Sequence, residues 1–126
     1  MPKNIVICCD GTNNEIVGDQ TNVLRLYRML QKDEHQQLYY DAGVGTKVDP
    51  TALWWGRRRL LKQFDAAVGT SIRAHVVDAY RFLIERYEPS DKVYLFGFSR
   101  GAYTVRVLAG LIKRCGLLGP DDCNRQ

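Results

Sequence analysis

The sequence has no apolar run long enough to span a membrane. Its best candidates, Val93–Phe98 and Val107–Ile112, are far shorter than the roughly 20 residues that a membrane-spanning helix needs. The amino-terminal end also lacks the apolar core of a secretory signal peptide, because only five apolar residues separate Asn4 from Asp10. We therefore expect a cytoplasmic protein, and secretion by a route that needs no signal peptide stays open.

Cysteines are few, and their spacing does not suit a metal. The four cysteines stand at positions 8, 9, 115 and 123, without a C-x-x-C pair and without a neighbouring histidine. This spacing argues against a zinc site. Free, buried thiols in a reducing compartment are the simpler interpretation.

A strong excess of either charge is also missing. The net charge is +4 over 126 residues, so the composition does not indicate a nucleic-acid partner. A hydrophobic content of 45% suits one globular domain.

One short stretch gathers tryptophans and positive charges. It comprises Trp54, Trp55, Arg57, Arg58, Arg59 and Lys62. Such a patch could contact an anionic membrane surface, with the rings in the lipid and the cations at the head groups. A solvated insertion with its tryptophans packed against the body is the simpler interpretation.

Predicted strands and helices alternate along the chain. Strands are predicted at 4–9, 37–41 and 93–98, and helices after Thr21–Asn22, from after Gly69 to about Tyr87, and from about Arg100 to Arg114. This alternation predicts an α/β fold, a parallel sheet covered by helices in three α/β/α layers. Residues 47–68 are predicted to be an insertion, in part helical, in a single and incomplete domain that covers 1–126.

Ser99 lies in the pattern G-x-S-x-G, between a predicted strand and a predicted helix. In a nucleophile elbow the serine occupies a tight turn that lifts its hydroxyl above the sheet. Gly97 and Gly101 leave room for that turn, and the Arg100 amide opens the helix where an oxyanion would develop. The sequence thus predicts the amino-terminal part of an α/β-hydrolase with Ser99 as nucleophile. A plain glycine-rich turn is the alternative.

The loop after the first strand is the second candidate. Asp10, Gly11 and Thr12 should leave a parallel sheet at the same edge as Ser99, where a backbone amide could complete the oxyanion hole. Asp10 could orient this loop, contact substrate, or only close an Asx turn. Cys8 occupies the position at which haloacid-dehalogenase phosphatases carry their nucleophilic aspartate, which excludes that chemistry.

Histidine is scarce, and none follows Ser99. A serine needs a base to take its proton, and α/β-hydrolases place the acid and the histidine after the serine. Here only Asp121 and Asp122 follow it. His35 is expected in solvent, and His75 is expected to be a structural histidine beside the apolar stripe of its helix. The chain is therefore expected to be inactive alone.

Five segments together resemble a bacterial and fungal α/β-hydrolase family that includes the catalytic domain of type VI secretion phospholipase effectors. These segments are Cys8–Asn13, Thr21–Val23, Tyr39–Thr46, Ala79–Leu83 and Gly97–Thr104. The resemblance runs from residue 5 to about residue 119. It implies lipase or phospholipase chemistry on a lipid or other ester, without a metal or other cofactor, and Ser99 as nucleophile.

Two functions from different classes stay open. One is a serine ester hydrolase that missing residues or a partner complete. The other is a truncated or degenerate module that binds a partner or a lipid surface without catalysis. In either case a three-stranded sheet leaves an open edge, which missing residues, a second copy or a partner could cover. If none covers it, aggregation is expected.

Overall fold

The computed structural model of the protein describes residues 1–11, 20–43 and 57–117, and for 57–68 and Thr70 it describes only the backbone. Three strands alternate with three helices, in the predicted order. They are β1 (Asn4–Cys9), α1 (Asn22–Met29), β2 (Gln36–Asp41), α2 (Arg57–Arg86), β3 (Lys92–Gly97) and α3 (Arg100–Cys115). No helix within these ranges is both long and apolar enough to cross a membrane.

The three strands form a parallel sheet in the order β2-β1-β3. Cys9, at the end of β1, aligns with Asp41 of β2 and with Gly97 of β3. Because the three strands end at the same level, the segments that follow them leave the sheet at one edge. This alignment places Asp10 and Phe98 beside each other, and the Phe98 amide donates to the Cys9 carbonyl at 3.1 Å.

Helices cover both faces of the sheet, which confirms the α/β/α layers. On one face Val6, Cys8 and Leu38 pack against Val23 of α1. On the other face α2 and α3 close the larger core, whose buried members are Ile5, Ile7, Cys9, Val76, Ala79, Leu83, Val105 and Leu108. A central strand covered on both faces accounts for the unbroken apolar run of β1.

β3 is less buried than its apolar sequence predicts. Val93 and Leu95 face the larger core, but Tyr94 is 43% exposed and Phe96 is 39% exposed. Both aromatic residues align with buried residues of β1 that α1 covers, so they lie on the α1 face, beyond the reach of that helix. An apolar run does not reveal how far the covering helix extends, so the position of α1 decides the exposure of Tyr94 and Phe96.

The long helix starts earlier than expected. α2 begins at Arg57 and continues through Gly69, which the sequence analysis placed before its start. An exposed helical glycine costs only about 1 kcal/mol relative to alanine, so it does not end a helix. Residues 57–68 of the predicted insertion are therefore the first turns of α2. Residues 47–56, with Trp54 and Trp55, lie outside the described residues.

Candidate active site

Ser99 occupies the turn between β3 and α3 with a strained backbone. Its φ is 53° and its ψ is −121°, a combination that costs a residue other than glycine on the order of 1–3 kcal/mol. The side chain is exposed, and its hydroxyl does not cap α3 although serine is a favoured capping residue. The turn therefore presents a hydroxyl that the helix does not use.

The two glycines of the pattern are required by close packing. A Cβ at Gly97 would lie 2.5 Å from the Gly101 carbonyl oxygen and 2.6 Å from the Cα of Ala102. A Cβ at Gly101 would overlap the Cys9 carbonyl and lie 2.7 Å from the Asp10 carbonyl oxygen. The first turn of α3 thus rests directly on the end of β1.

The start of α3 offers a hydrogen-bond donor beside Ser99. The Gly101 and Ala102 amides donate to the Phe98 and Ser99 carbonyls at 2.9 and 3.0 Å. In the part of the chain that the structure describes, the Arg100 amide has no acceptor. An amide at the first turn of a helix, aided by the helix dipole, suits a developing negative charge.

Asp10 ties the second candidate loop to its surroundings. Asp10 is buried, with only 2% of its surface exposed. Its Oδ1 accepts the Gly11 amide at 2.9 Å, and its Oδ2 accepts the hydroxyls of Thr21 at 2.5 Å and Tyr40 at 2.8 Å. Thr21 in turn accepts the Leu24 amide as the N-cap of α1. These contacts favour a role for Asp10 in positioning the loop rather than in contacting substrate.

The contacts around Asp10 have two consequences for the site. Burial and the hydrogen bond to Asp10 raise the pKa of Tyr40, because both disfavour the phenolate. The Gly11 amide is already engaged by Asp10, so a second oxyanion donor would have to come from a later residue of the loop. Thr12, the next candidate, lies outside the described residues.

The structure brings together a histidine and an aspartate that no sequence motif links. His75 Nδ1 lies 2.6 Å from Asp41 Oδ2, and Asp41 Oδ1 accepts the Gly43 amide at 2.8 Å. A Cβ at Gly43 would lie only 2.5 Å from the Gly11 carbonyl oxygen, so this turn packs against the Asp10 loop. No spacing pattern predicts a contact between residues 34 positions apart on different elements.

The His75–Asp41 pair and the elbow belong to different strands. Asp41 aligns with Cys9, and Cys9 aligns with Gly97, so two strand spacings, about 10 Å, separate Asp41 from Gly97. His75 thus packs on the β2 side of the sheet, with a partner of its own. Among the described residues, no group of three or more histidines, cysteines or carboxylates is placed to hold a metal ion.

The described cysteines and the arginines at the start of α2 are the remaining candidate residues. Cys8, Cys9 and Cys115 are free thiols, and burial raises the pKa of Cys8 to about 11 and that of Cys9 to about 12. Both buried thiols are therefore unreactive at neutral pH. Arg57, Arg58 and Arg59, from the stretch that gathers tryptophans and positive charges, form the first turn of α2.

The fold and the site together define an α/β protein whose parallel strands bring a strained serine turn and a carboxylate-anchored loop to one sheet edge. Residues 3–126 match the catalytic domain of the Tle1-like phospholipase effectors of the type VI secretion system, and the chain belongs to this family. No solved structure matches it.

The chain also matches part of a longer yeast protein. The chain is 45% identical over 125 residues to the uncharacterized protein YEL023C of Saccharomyces cerevisiae. The match covers 92% of this chain but only 18% of that protein. The chain therefore spans less than a fifth of the length of this relative.

Proposed function

We propose that this chain is the nucleophile-bearing part of a serine ester hydrolase of the α/β-hydrolase type that acts on lipid. The observation that carries the proposal is the Ser99 turn. Its φ is positive, its exposed hydroxyl does not cap α3, and its close packing requires glycine at both flanking positions. Membership of a phospholipase effector family supports lipid as the substrate class.

In the proposed reaction, the Ser99 hydroxyl attacks the acyl carbonyl of the lipid ester. The carbonyl oxygen becomes an oxyanion, which the Arg100 amide and the α3 dipole stabilise. Collapse of the tetrahedral intermediate expels the alcohol and leaves an acyl group on Ser99, which water then hydrolyses.

A base must take the Ser99 proton for this reaction to be fast. His75 already pairs with Asp41 on the β2 side of the sheet, and no histidine follows Ser99 in the sequence. We propose that a longer form of the protein or a partner supplies the base and its orienting acid.

A non-catalytic module that binds a partner or a lipid surface is the second candidate. The exposed aromatic pair on β3, Tyr94 and Phe96, favours it, since such side chains are suited to contact another surface.

The test is phospholipid hydrolysis by the full protein and by its Ser99→Ala variant, measured as fatty acid released from vesicles. We expect a loss on the order of 10³-fold, because attack by the serine is the chemical step. Ser90→Ala is the matched control, since Ser90 is also exposed with a positive φ of 90° but precedes β3 at the opposite edge.

Covalent labelling separates the two candidates. A fluorophosphonate should add its phosphonyl group to the peptide that contains Ser99, and it should leave the Ser99→Ala protein unlabelled. Equal hydrolysis by the wild type and Ser99→Ala would contradict the hydrolase. Vesicle binding without any turnover or labelling would support the non-catalytic module.

A further inference from the structure

A groove of about 730 Å³ lies between α2 and α3. Its volume falls within the roughly 300–1,000 Å³ of typical small-molecule sites. Arg100, the residue that follows Ser99, is one of its lining residues, so the groove reaches the first turn of the helix that the proposed nucleophile precedes.

The floor of the groove is part of the packed interior. Val76 is a buried member of the larger core, and Ile72 and Leu111 pack against that core. Their positions are fixed by contacts with the sheet, so the floor is preformed. Such a floor can receive a ligand without reorganising the fold.

The rim of the groove consists of apolar side chains that remain in solvent. Val77, Tyr103 and Val107 are all exposed, although each is large and hydrophobic. An apolar ligand that lies between them would remove this surface from water, which is favourable.

The charges along the groove have one sign. Arg73 and Arg100 border it, and no carboxylate is among its described lining residues. Guanidinium groups bind phosphate and carboxylate oxygens through paired hydrogen bonds. A ligand that fits both features has a long apolar part and an anionic group near Ser99.

We propose that this groove holds an acyl chain of an anionic lipid ester, with the anionic head group at Arg73 and Arg100 and the scissile ester at Ser99. This inference rests on the proposed function and adds to it the chain length and the charge of the preferred substrate.

Substitutions that fill the groove test whether it binds an acyl chain. Val107→Trp and Val77→Trp place a large ring in the groove, and hydrolysis of p-nitrophenyl palmitate is compared with that of p-nitrophenyl butyrate. We expect the palmitate-to-butyrate ratio of kcat/KM to fall by about tenfold or more, because only the longer chain extends into the filled part of the groove. Met29→Trp is the control, since Met29 is 82% exposed on α1, across the sheet.

Removing the positive charge of Arg73 tests whether this residue binds the anionic head group. Arg73→Gln should reduce hydrolysis of phosphatidylglycerol vesicles more than that of phosphatidylcholine vesicles. Arg81→Gln removes the same charge from an exposed position on the same helix that does not line the groove, and it should leave this preference unchanged.

Binding of cis-parinaric acid tests the groove independently of catalysis by Ser99. The Ser99→Ala protein should bind this fluorescent fatty acid as the wild type does, and Val107→Trp should weaken the binding by about tenfold. If no Ser99-dependent hydrolysis exists, the proposed function fails and this titration still decides the groove. Equal parinaric acid binding by Val107→Trp, Val77→Trp and wild type, or an unchanged palmitate-to-butyrate ratio, would overturn the acyl-chain assignment.

Discussion

At the scale of single residues, the site depends on a few positions where the surroundings allow one side chain only. Gly101 has the Cys9 carbonyl where a Cβ would lie, while Gly110 of the same helix has open space around it. Asp10 is a buried carboxylate whose Oδ2 accepts hydrogen bonds from the hydroxyls of Thr21 and Tyr40. Each feature gives a prediction that a substitution can check.

Gly101→Ala should destabilise the protein by several kcal/mol, on the order of an overpacked core site, because the methyl group overlaps backbone that cannot rotate away. Gly110→Ala is the matched control and should stabilise α3 by up to about 1 kcal/mol, since alanine favours the helix. Urea unfolding followed by circular dichroism gives both values. Equal effects of the two substitutions would contradict the packing of the elbow against β1.

Tyr40→Phe should reduce the free energy of unfolding by about 1–3 kcal/mol, because it leaves the buried Asp10 carboxylate short of one donor. Tyr94→Phe removes the same atom from an exposed tyrosine of β3 and should change little. Spectrophotometric titration adds a second readout: burial raises the pKa of both Tyr39 and Tyr40, so the Tyr40→Phe protein should lose one of the tyrosines that ionise above the ordinary range.

At the scale of secondary-structure elements, one polar cluster lies where β1 and β3 begin, at the end of the sheet opposite the site. Lys3 Nζ lies 2.7 Å from Asp91 Oδ2, and the Lys3 amide donates to Asp91 Oδ1 at 2.9 Å. The Glu88 amide also donates to Asp91, at 2.9 Å. This cluster fastens the start of β1 to the turn between α2 and β3, and so aligns the two strands that carry the Asp10 loop and Ser99.

The two charged groups of this cluster have shifted pKa values. Burial of the Asp91 carboxyl raises its pKa, but hydrogen bonds from the Lys3 side chain and the Lys3 and Glu88 amides outweigh burial and lower it below the ordinary 3.8. The hydrogen bond to Asp91 raises the pKa of Lys3 above 10.5. The stability due to Asp91 is therefore complete above pH 3.8 and is lost as the pH falls through the lower, folded value.

Asp91→Asn should lower the free energy of unfolding at neutral pH, since asparagine cannot accept the same bonds or attract Lys3. The difference from wild type should stay constant between about pH 5 and 9 and shrink below about pH 4, where unfolded wild-type chains bind the proton. It should also shrink above about pH 10.5, as Lys3 loses its proton. Urea unfolding across this range measures it, and a difference independent of pH would contradict the ion pair.

At the scale of the whole molecule, the sheet is covered unevenly. α2 and α3 close one face, whereas α1 covers β1 and β2 on the other and leaves Tyr94 and Phe96 of β3 exposed. In the described sheet, β3 also pairs with a strand on one side only. An unpaired strand edge beside exposed aromatic rings is a ready surface for association.

The 126-residue chain, expressed alone, should self-associate at high concentration, and the double substitution Tyr94→Lys, Phe96→Lys should shift it toward the monomer. Charged side chains on an exposed face oppose association without entering the core. Sedimentation velocity over a range of concentrations measures the change. Val107→Lys, on the α2 and α3 face, is the control, and an equal shift by both variants would argue against the β3 surface.

The sequence by itself determined the order of the elements, because apolar periodicity and capping residues act over a few neighbouring positions. It also determined the Ser99 turn, since Gly97 and Gly101 flank a serine where a strand passes into a helix. Local signals were weaker for α2, because Gly69 resembles a helix boundary although one glycine cannot outweigh the helix formers around it.

Only the tertiary structure decided which residues meet across the sheet. The anchoring of Asp10 by Thr21 and Tyr40, the His75–Asp41 pair and the groove between α2 and α3 join elements that are distant in sequence. Their positions follow from the strand order and from the common level at which the strands end. The exposure of Tyr94 and Phe96 has the same origin, because a residue's burial depends on which helix lies over it, and periodicity does not encode that.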